Sequence, residues 1–293
     1  MTTTAPRTVV PSHQSAIDEP WPSPSKLAAA TTTHRQGRFE ISSRKLPISK
    51  AGPIQDMETR LAIPVPEMIF GDNLVSIRHV PSNWRIEFNA YDALDAVDKT
   101  GDNMLQVAYA GEWSASREQT SAGIREVVRP FDWSYSTTYK GTVLSPQTNG
   151  TTEHVASSTV LAPSNEPIPI ELLKRRDPIL FFDDVMLYES ELDDNGISCY
   201  SVKVRVHEKR MLLLCRLYMR LDNVVCRVRD TRVYVDFETE RVTREYSVKE
   251  AGWESVKQVS FSVPFSVPPF SFFPLFFLLF FFFFFGHWGM NFA

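Results

Sequence analysis

Histidine is the side chain that most often serves both as a metal ligand and as a general acid or base, and this sequence contains six. They are His13, His34, His79, His154, His207 and His287. None has another histidine, a cysteine or a carboxylate at the helical spacing of a metal-binding motif such as H-E-x-x-H. The sequence therefore predicts no metal centre.

Paired carboxylates such as Asp183-Asp184 and Asp193-Asp194 are other groups here that can transfer protons. Neighbouring residues of a strand point to opposite faces, so we expect each pair to place one acid in solvent or in a turn. The chain also lacks the G-x-S-x-G, G-x-G-x-x-G and G-x-x-x-x-G-K-S/T motifs. We therefore expect no enzyme activity and no cofactor, whereas turnover by the purified protein would reveal an unrecognised hydrolase site.

The cysteines and the N-terminus indicate the compartment. Cys199, Cys215 and Cys226 are too few and too widely spaced for a disulfide framework or a zinc knuckle, and their apolar surroundings predict buried, reduced thiols. The first 20 residues contain no apolar segment behind a basic start, so no secretion signal is visible. We therefore expect a cytoplasmic protein, with the nucleus as a second location.

The overall composition limits the classes of protein to which the chain can belong. Of its 293 residues, 43% are hydrophobic and 23% are charged, so the chain can bury a sizeable core. Its formal net charge is −4, which lacks the positive excess that phosphate contacts require of a nucleic-acid-binding protein. We therefore expect no nucleic-acid partner.

The elements that must position any site divide the chain into three parts. Residues 1–36 are rich in Thr, Ser, Pro and Ala, which predicts a flexible tail. Residues 37–257 carry the strand patterns of one β-rich domain, with a polar insertion at residues 145–167 that we expect to be a flexible loop. Residues 258–293 form a phenylalanine-rich tail.

Strand and turn signals are clearest between residues 178 and 250. Apolar stretches there alternate with turn-like clusters at residues 193–196, 207–210, 222–223 and 238–240, which predicts an antiparallel meander. Residues 74–88 predict a β-hairpin, and Asn89 is expected to cap the short helix that follows. A second sheet or helices must then cover the apolar face of the meander.

The phenylalanine-rich tail has three interpretations. A tail-anchored membrane protein using residues 261–285 needs about 20 apolar residues, but Pro274 leaves only residues 275–285 uninterrupted. A buried strand needs side chains of varied shape, which a run of phenylalanines does not offer. We favour a translated intron, because Phe, Ser, Pro and Leu have pyrimidine-rich codons and Val259 requires a codon beginning GT, as a splice donor does. A spliced transcript that retains the poly-Phe codons would exclude this interpretation.

Several short segments of the sequence occur in the order in which one protein family has them. They are residues 66–73 (PEMIFGDN), 86–94 (IEFNAYDAL), 129–142 (RPFDWSYSTTYKGT), 181–185 (FFDDV), 201–206 (SVKVRV), 229–234 (RDTRVY) and 244–246 (REY). Together they resemble the TIPRL (TIP forty-one-like) family over roughly residues 37–257.

The resemblance implies a non-enzymatic regulator of TOR signalling that binds the catalytic subunits of type 2A protein phosphatases and of the related types 4 and 6. Other regulators of these phosphatases would be further partners, and a membrane is not an expected one. It also implies a single, mainly β domain of two packed antiparallel β-sheets with a few peripheral helices. That fold agrees with the meander.

The resemblance also carries partner-binding residues onto this chain. The two binding acids of the family fall on Asp92 and Asp230, and a family isoleucine falls on Ile168. A methionine of the animal members is Val228 here. These four residues are the predicted binding site.

The residues themselves leave structural alternatives open. Asp92 can equally stabilise the N-terminus of a helix, and Asp230 can pair with Arg229 or Arg232 on a sheet face. We expect both acids near the surface, where their substitution spares folding. Ile168 lies between two prolines and cannot pair fully into a central strand, so a partner contact suits it.

Overall fold

The computed structural model describes residues 22–99, 135–146, 152–154 and 161–256. Within these ranges the chain forms two six-stranded antiparallel β-sheets with short helices around them. The predicted fold class, a mainly β protein of two packed antiparallel sheets with peripheral helices, is confirmed. The helices used below are α1 (Pro24–Ala29), α2 (Ala51–Leu61), α3 (Ala90–Asp95) and α4 (Ile170–Leu173).

Sheet A contains strands from the first half of the described chain, in the spatial order β1-β2-β4-β5-β6-β7. Its strands are β1 (Thr31–Gln36), β2 (Phe39–Arg44), β4 (Leu74–His79), β5 (Trp84–Asn89), β6 (Thr142–Pro146) and β7 (Thr152–His154). Strands β4 and β5 form the predicted hairpin, which is confirmed.

Sheet B contains the long strands of the second half, in the spatial order β12-β11-β10-β9-β8-β3. Its strands are β3 (Met68–Ile69), β8 (Phe181–Ser190), β9 (Gly196–Val206), β10 (Arg210–Leu221), β11 (Val225–Asp236) and β12 (Arg241–Gly252). Strands β8 to β12 are neighbours in chain order, so the predicted antiparallel meander is confirmed.

The core lies between the two sheets and follows from the period-two alternation of their strands. Ile77, Ile86 and Phe88 of sheet A are fully buried, as are Val202 and Leu213 of sheet B, and all belong to one hydrophobic cluster. Each such side chain stabilises the fold by about 1.5–3 kcal/mol relative to its exposed state. The two sheets therefore hold each other in place.

Residues 22–36 form regular structure that the sequence does not predict. Within residues 22–36, which we expected to belong to a flexible tail, α1 and β1 are formed, and β1 pairs with β2 along its whole length. The expectation is therefore wrong for these residues. An edge strand needs mainly backbone hydrogen bonds from its neighbour, so the polar composition of residues 31–36 does not prevent pairing.

The predicted loop at residues 145–167 is also partly wrong. Strand β7 pairs with β6 inside it. Residues 161–167 lie against β12, where Arg241 forms an ion pair with Glu166.

The structure does not describe the ranges 1–21, 100–134, 147–151, 155–160 and 257–293. The phenylalanine-rich tail and its three interpretations therefore lie outside the described residues. In the described ranges, no helix has the length and apolar character needed to cross a bilayer.

Candidate partner-binding site

Sheet B has one face toward the core and one away from it, which we call the outer face. On β10 the side chains of Leu213 and Cys215 join the core, so Arg216 and Tyr218 belong to the outer face. The register places Asp230 of β11 directly opposite Arg216. It places Val228 opposite Tyr218, so two of the four predicted site residues share the outer face.

Cationic side chains outnumber carboxylates on the outer face of strands β9 to β12. The register assigns eight cationic side chains to it, namely Lys203, Arg205, Arg210, Arg216, Arg220, Arg232, Arg241 and Lys249. It assigns three carboxylates to the same face, namely Asp230, Asp236 and Glu245. Acids outside these four strands pair with four of the cations, namely Asp184 with Lys203, Asp177 with Arg210, Asp222 with Arg220 and Glu166 with Arg241. Much of the positive charge is therefore compensated within the folded chain.

Asp230 lies inside this face and is only 4% exposed. Arg216 donates to both of its carboxylate oxygens, with N–O distances of 2.7 Å from Nε and 2.7 Å from Nη2. Arg232 donates to Oδ2 at 3.1 Å. The expectation that Asp230 lies near the surface is therefore wrong, because two guanidinium groups compensate for the cost of burying it. Pairing with Arg232 is confirmed, whereas Arg229 lies on the opposite face of β11.

Val228 is also buried, at 4% exposed. Its strand neighbours are Tyr218 on β10 and Lys249 on β12. The valine thus supports the surface formed by these longer side chains and presents almost no area of its own. A partner that binds at Val228 would therefore contact mainly the neighbouring side chains of Tyr218 and Lys249.

Ile168 reaches the same region through the segment that precedes α4. Its backbone N–H donates to Oε1 of Glu245 at 2.5 Å, and Glu245 is the register partner of Arg232 on β12. Ile168 is 2% exposed, so its side chain is covered rather than offered to solvent. Ile168 is therefore inaccessible, like the two residues of β11, and its backbone lies beside Glu245 of the outer face.

The segment before α4 and strand β12 enclose an open groove of about 700 Å³. Its walls are residues 161–167 on one side and residues 241–245 on the other. Arg241 crosses it to pair with Glu166, and its Nη2 also reaches Oγ of Ser164 at 3.4 Å. Farther along the chain, Asp177 pairs with Arg210 of β10. Residues 161–167 therefore lie beside residues 241–245 of the edge strand β12.

Asp92 lies apart from the other three predicted residues, at the N-terminus of α3 beside sheet A. Asn89 caps the helix, as predicted: its Oδ1 accepts from the Asp92 N–H at 2.8 Å. Oδ2 of Asp92 accepts hydrogen bonds from Asn89 Nδ2 at 2.9 Å and from the Thr142 hydroxyl. The carboxylate is half-buried, so it is accessible to a partner and structurally engaged at once. Burial chiefly, with a contribution from Asp92, raises the pKa of the neighbouring Tyr139 hydroxyl.

The described residues form no cluster of metal ligands, and their thiols have raised pKa values. In those ranges, no three His, Cys, Asp or Glu side chains lie together as metal ligands would. Burial raises the pKa of Cys199 and Cys226 to about 11, and it also raises that of Cys215, so these thiols are poor nucleophiles at neutral pH.

Comparison with known proteins identifies the family. The model of the TIP41-like family matches residues 68–257, which is more than half of the chain. The chain belongs to the TIP41-like family. The resemblance inferred from the short sequence segments is thereby confirmed. All four predicted site residues lie inside the matched range.

Individual TIP41-like relatives match most of the chain. The human TIP41-like protein is 38% identical over 232 residues, which cover 78% of this chain and 81% of the human protein. The Dictyostelium discoideum TIP41-like protein is 36% identical over 235 residues, covering 78% and 82%. The Saccharomyces cerevisiae protein named Type 2A phosphatase activator TIP41 is 38% identical over 233 residues, covering 74% of this chain and 62% of the yeast protein.

The residues that organise this TIP41-like face were not among the predicted ones. Arg216 holds Asp230, and Glu245 holds the backbone of Ile168. Neither stands near its partner in the sequence, so no local word indicates it. The signal that would have found Arg216 is the register of the β10–β11 hairpin, which is centred on the turn at residues 222–224.

Proposed function

We propose that the chain is a non-enzymatic regulator that binds the catalytic subunits of type 2A-family phosphatases (2A, 4 and 6) and modulates TOR signalling in the cytoplasm or the nucleus. The observation that carries the proposal is its 38% identity over 233 residues to the yeast protein named Type 2A phosphatase activator TIP41. A second relative with that activator name, from Schizosaccharomyces pombe, is 31% identical over 222 residues.

The outer face supports binding of a protein rather than of a small molecule. It extends across strands β9 to β12 and carries charged side chains together with the half-buried Leu212, Leu214 and Tyr218. Charged side chains around an apolar centre are the usual composition of a protein interface. We assign the contact to the surface around Val228, Asp230 and Ile168, with Asp92 as a separate contact.

Calorimetric titration tests the proposal directly. The full chain is titrated with purified catalytic subunits of phosphatases 2A, 4 and 6, and with the type 1 catalytic subunit as control. We expect one-to-one binding to at least one type 2A-family subunit and none to type 1. Absence of heat with all three type 2A-family subunits would contradict the proposed function. Phosphatase activity measured in the same mixtures then shows whether binding inhibits, activates or leaves the enzyme unchanged.

A further inference from the structure

The hydrogen bonds of Asp230 leave little of its carboxylate for a partner. Both oxygens already accept from Arg216, and Oδ2 accepts from Arg232 as well. With 4% of the residue exposed, a partner would have to displace these guanidinium groups in order to reach the carboxylate. Breaking a buried, hydrogen-bonded ion pair is strongly unfavourable. A direct contact between the Asp230 carboxylate and a partner is therefore unfavourable.

The two arginines that hold Asp230 are more accessible than the acid itself. The side chain of Arg216 is 23% exposed and that of Arg232 is 28% exposed, against 5% for the Asp230 side chain. A guanidinium group has five N–H donors in a fixed plane, and Asp230 accepts from two of them on Arg216 and from one on Arg232. The hydrogen bonds to Asp230 therefore fix the direction in which both arginines present their positive charge.

We propose that Asp230 is a positioning residue, which orients Arg216 and Arg232 to bind carboxylate side chains on the surface of a type 2A-family catalytic subunit. This inference rests on the proposed function. Two observations favour a carboxylate-bearing partner: Arg216 and Arg232 are two cations that share the single carboxylate of Asp230, and planar guanidinium groups match carboxylates in two-point hydrogen bonds. Holding a long side chain in place before binding also lowers the entropy that binding costs.

The positions of the neighbouring residues agree with this role. Ser247, half-buried and short, lies opposite Asp230 on β12, so this strand places no large side chain directly beside Asp230. Val228 lies two residues from Asp230 on the same face, where it supports the half-buried Tyr218. Glu245, opposite Arg232, already accepts the N–H of Ile168. These neighbours are thus short, buried or already hydrogen-bonded.

The test compares dissociation constants of the full chain and a type 2A catalytic subunit, measured by calorimetry at several salt concentrations. Arg232→Gln is the first variant, because it leaves both Arg216–Asp230 hydrogen bonds in place and should fold. We expect its affinity to fall tenfold or more and its salt dependence to become shallower, since a charged contact is lost. Arg216→Gln should behave alike. Arg85→Gln on β5, a side chain 40% exposed on sheet A, is the matched control and should bind as wild type.

A double-mutant cycle separates the positioning role from a direct contact. Asp230→Asn should weaken binding, and Asp230→Asn combined with Arg216→Gln should be no weaker than the poorer of the two single variants. The proposal is overturned if Asp230→Asn weakens binding while both arginine variants bind as wild type. It is also overturned if the chain alone forms a dimer that Arg232→Gln dissolves, because the face would then bind a second copy. If the wild-type chain binds no type 2A-family subunit, the proposed function itself fails. The results obtained with the variants would not change that conclusion.

Discussion

The hydroxyl of Thr142 on β6 donates a hydrogen bond to Oδ2 of Asp92 on α3. The same oxygen accepts from Asn89, and the Thr142 hydroxyl oxygen lies 2.8 Å from that of Tyr139. Asp92 thus joins the first turn of a helix to a strand of sheet A. Its role in binding must therefore be separated from a role in folding.

Substitution of Asp92 tests both roles. Asp92→Leu leaves the Thr142 hydroxyl without its acceptor, so we expect the free energy of unfolding to fall by about 1–3 kcal/mol. This replaces the expectation that the substitution spares folding. Affinity for a type 2A catalytic subunit should fall tenfold or more. Urea unfolding and calorimetry measure the two quantities.

Two matched variants separate these effects. Asp95→Ala changes an acid of the same helix whose side chain is 61% exposed, and it should alter stability by about 0.5 kcal/mol or less. Thr142→Val removes the hydrogen bond and keeps the carboxylate. If Thr142→Val reduces affinity as much as Asp92→Leu does, the carboxylate only supports the fold.

Gly141 controls the approach of Thr142 to Asp92. Its φ is +91°, and a Cβ added to it would lie 2.7 Å from Cζ of the fully buried Phe88. We expect Gly141→Ala to destabilise the protein by at least about 1 kcal/mol, from backbone strain and the clash together. Gly52→Ala in α2 is the control, because no atom lies within 4 Å of its added Cβ. There, stability should rise by about 0.5–1 kcal/mol, and equal effects at both sites in thermal unfolding would refute this reading.

Asp183 of β8 links the two sheets and predicts a pH dependence. Burial raises the pKa of its carboxyl, but hydrogen bonds from Lys45 and Ser43 outweigh that effect, so the folded pKa lies below the ordinary value of 3.8. The stabilisation is therefore fully present above pH 3.8 and is lost as the pH falls through the folded pKa. Asp183→Asn should cost about 1.5–3 kcal/mol at pH 7.

The difference between Asp183→Asn and wild type should shrink steadily below about pH 4, as the wild-type carboxyl takes up a proton. Denaturant unfolding between pH 3 and pH 7 follows it. Asp184→Asn is the control, since that neighbouring side chain is 45% exposed and pairs only with Lys203 in the described structure. A deficit for Asp183→Asn that is constant over this pH range would show that the loss is one of packing.

The three thiols should be slow to react in the native protein. A pKa of about 11 for Cys199 and Cys226 leaves about one thiolate in a thousand at pH 8, and Cys215 is fully buried as well. A thiol-specific reagent should therefore label the folded chain slowly and label three thiols per chain after denaturation. Rapid labelling of a native thiol at pH 8 would mean that the outer face opens around Cys199 or Cys226.

Local sequence signals predicted the parts of the fold that depend on neighbours in the chain. The hairpin of β4 and β5 and the Asn89 cap were confirmed because alternation, turn residues and a capping side chain act over a few residues. Strand β1 was missed because its order comes from pairing with β2, and pairing of an edge strand requires little apolar surface. Its sequence therefore resembles that of a flexible tail.

The candidate site was predictable only in part for a related reason. The family-like sequence segments located Asp230 and Val228, and strand alternation alone places both side chains on one face of β11. Burial of Asp230 depends on Arg216, which lies 14 positions earlier and meets it only through the register of β10 and β11. The hydrogen bond of the Ile168 backbone depends likewise on Glu245, 77 positions later. Contacts of this range become visible only in the folded chain.

The location of the interface is the central claim, and blocking the outer face tests it most directly. Ser247, opposite Asp230, is half-buried and uncharged, so Ser247→Trp should obstruct the face while its strand tolerates the aromatic side chain. Thr33→Trp on the exposed edge strand β1 is the matched control. We expect Ser247→Trp to weaken binding of a type 2A catalytic subunit at least tenfold, about 1.4 kcal/mol, with an unchanged thermal midpoint, and Thr33→Trp to bind as wild type. Wild-type affinity in Ser247→Trp would contradict an interface on this face.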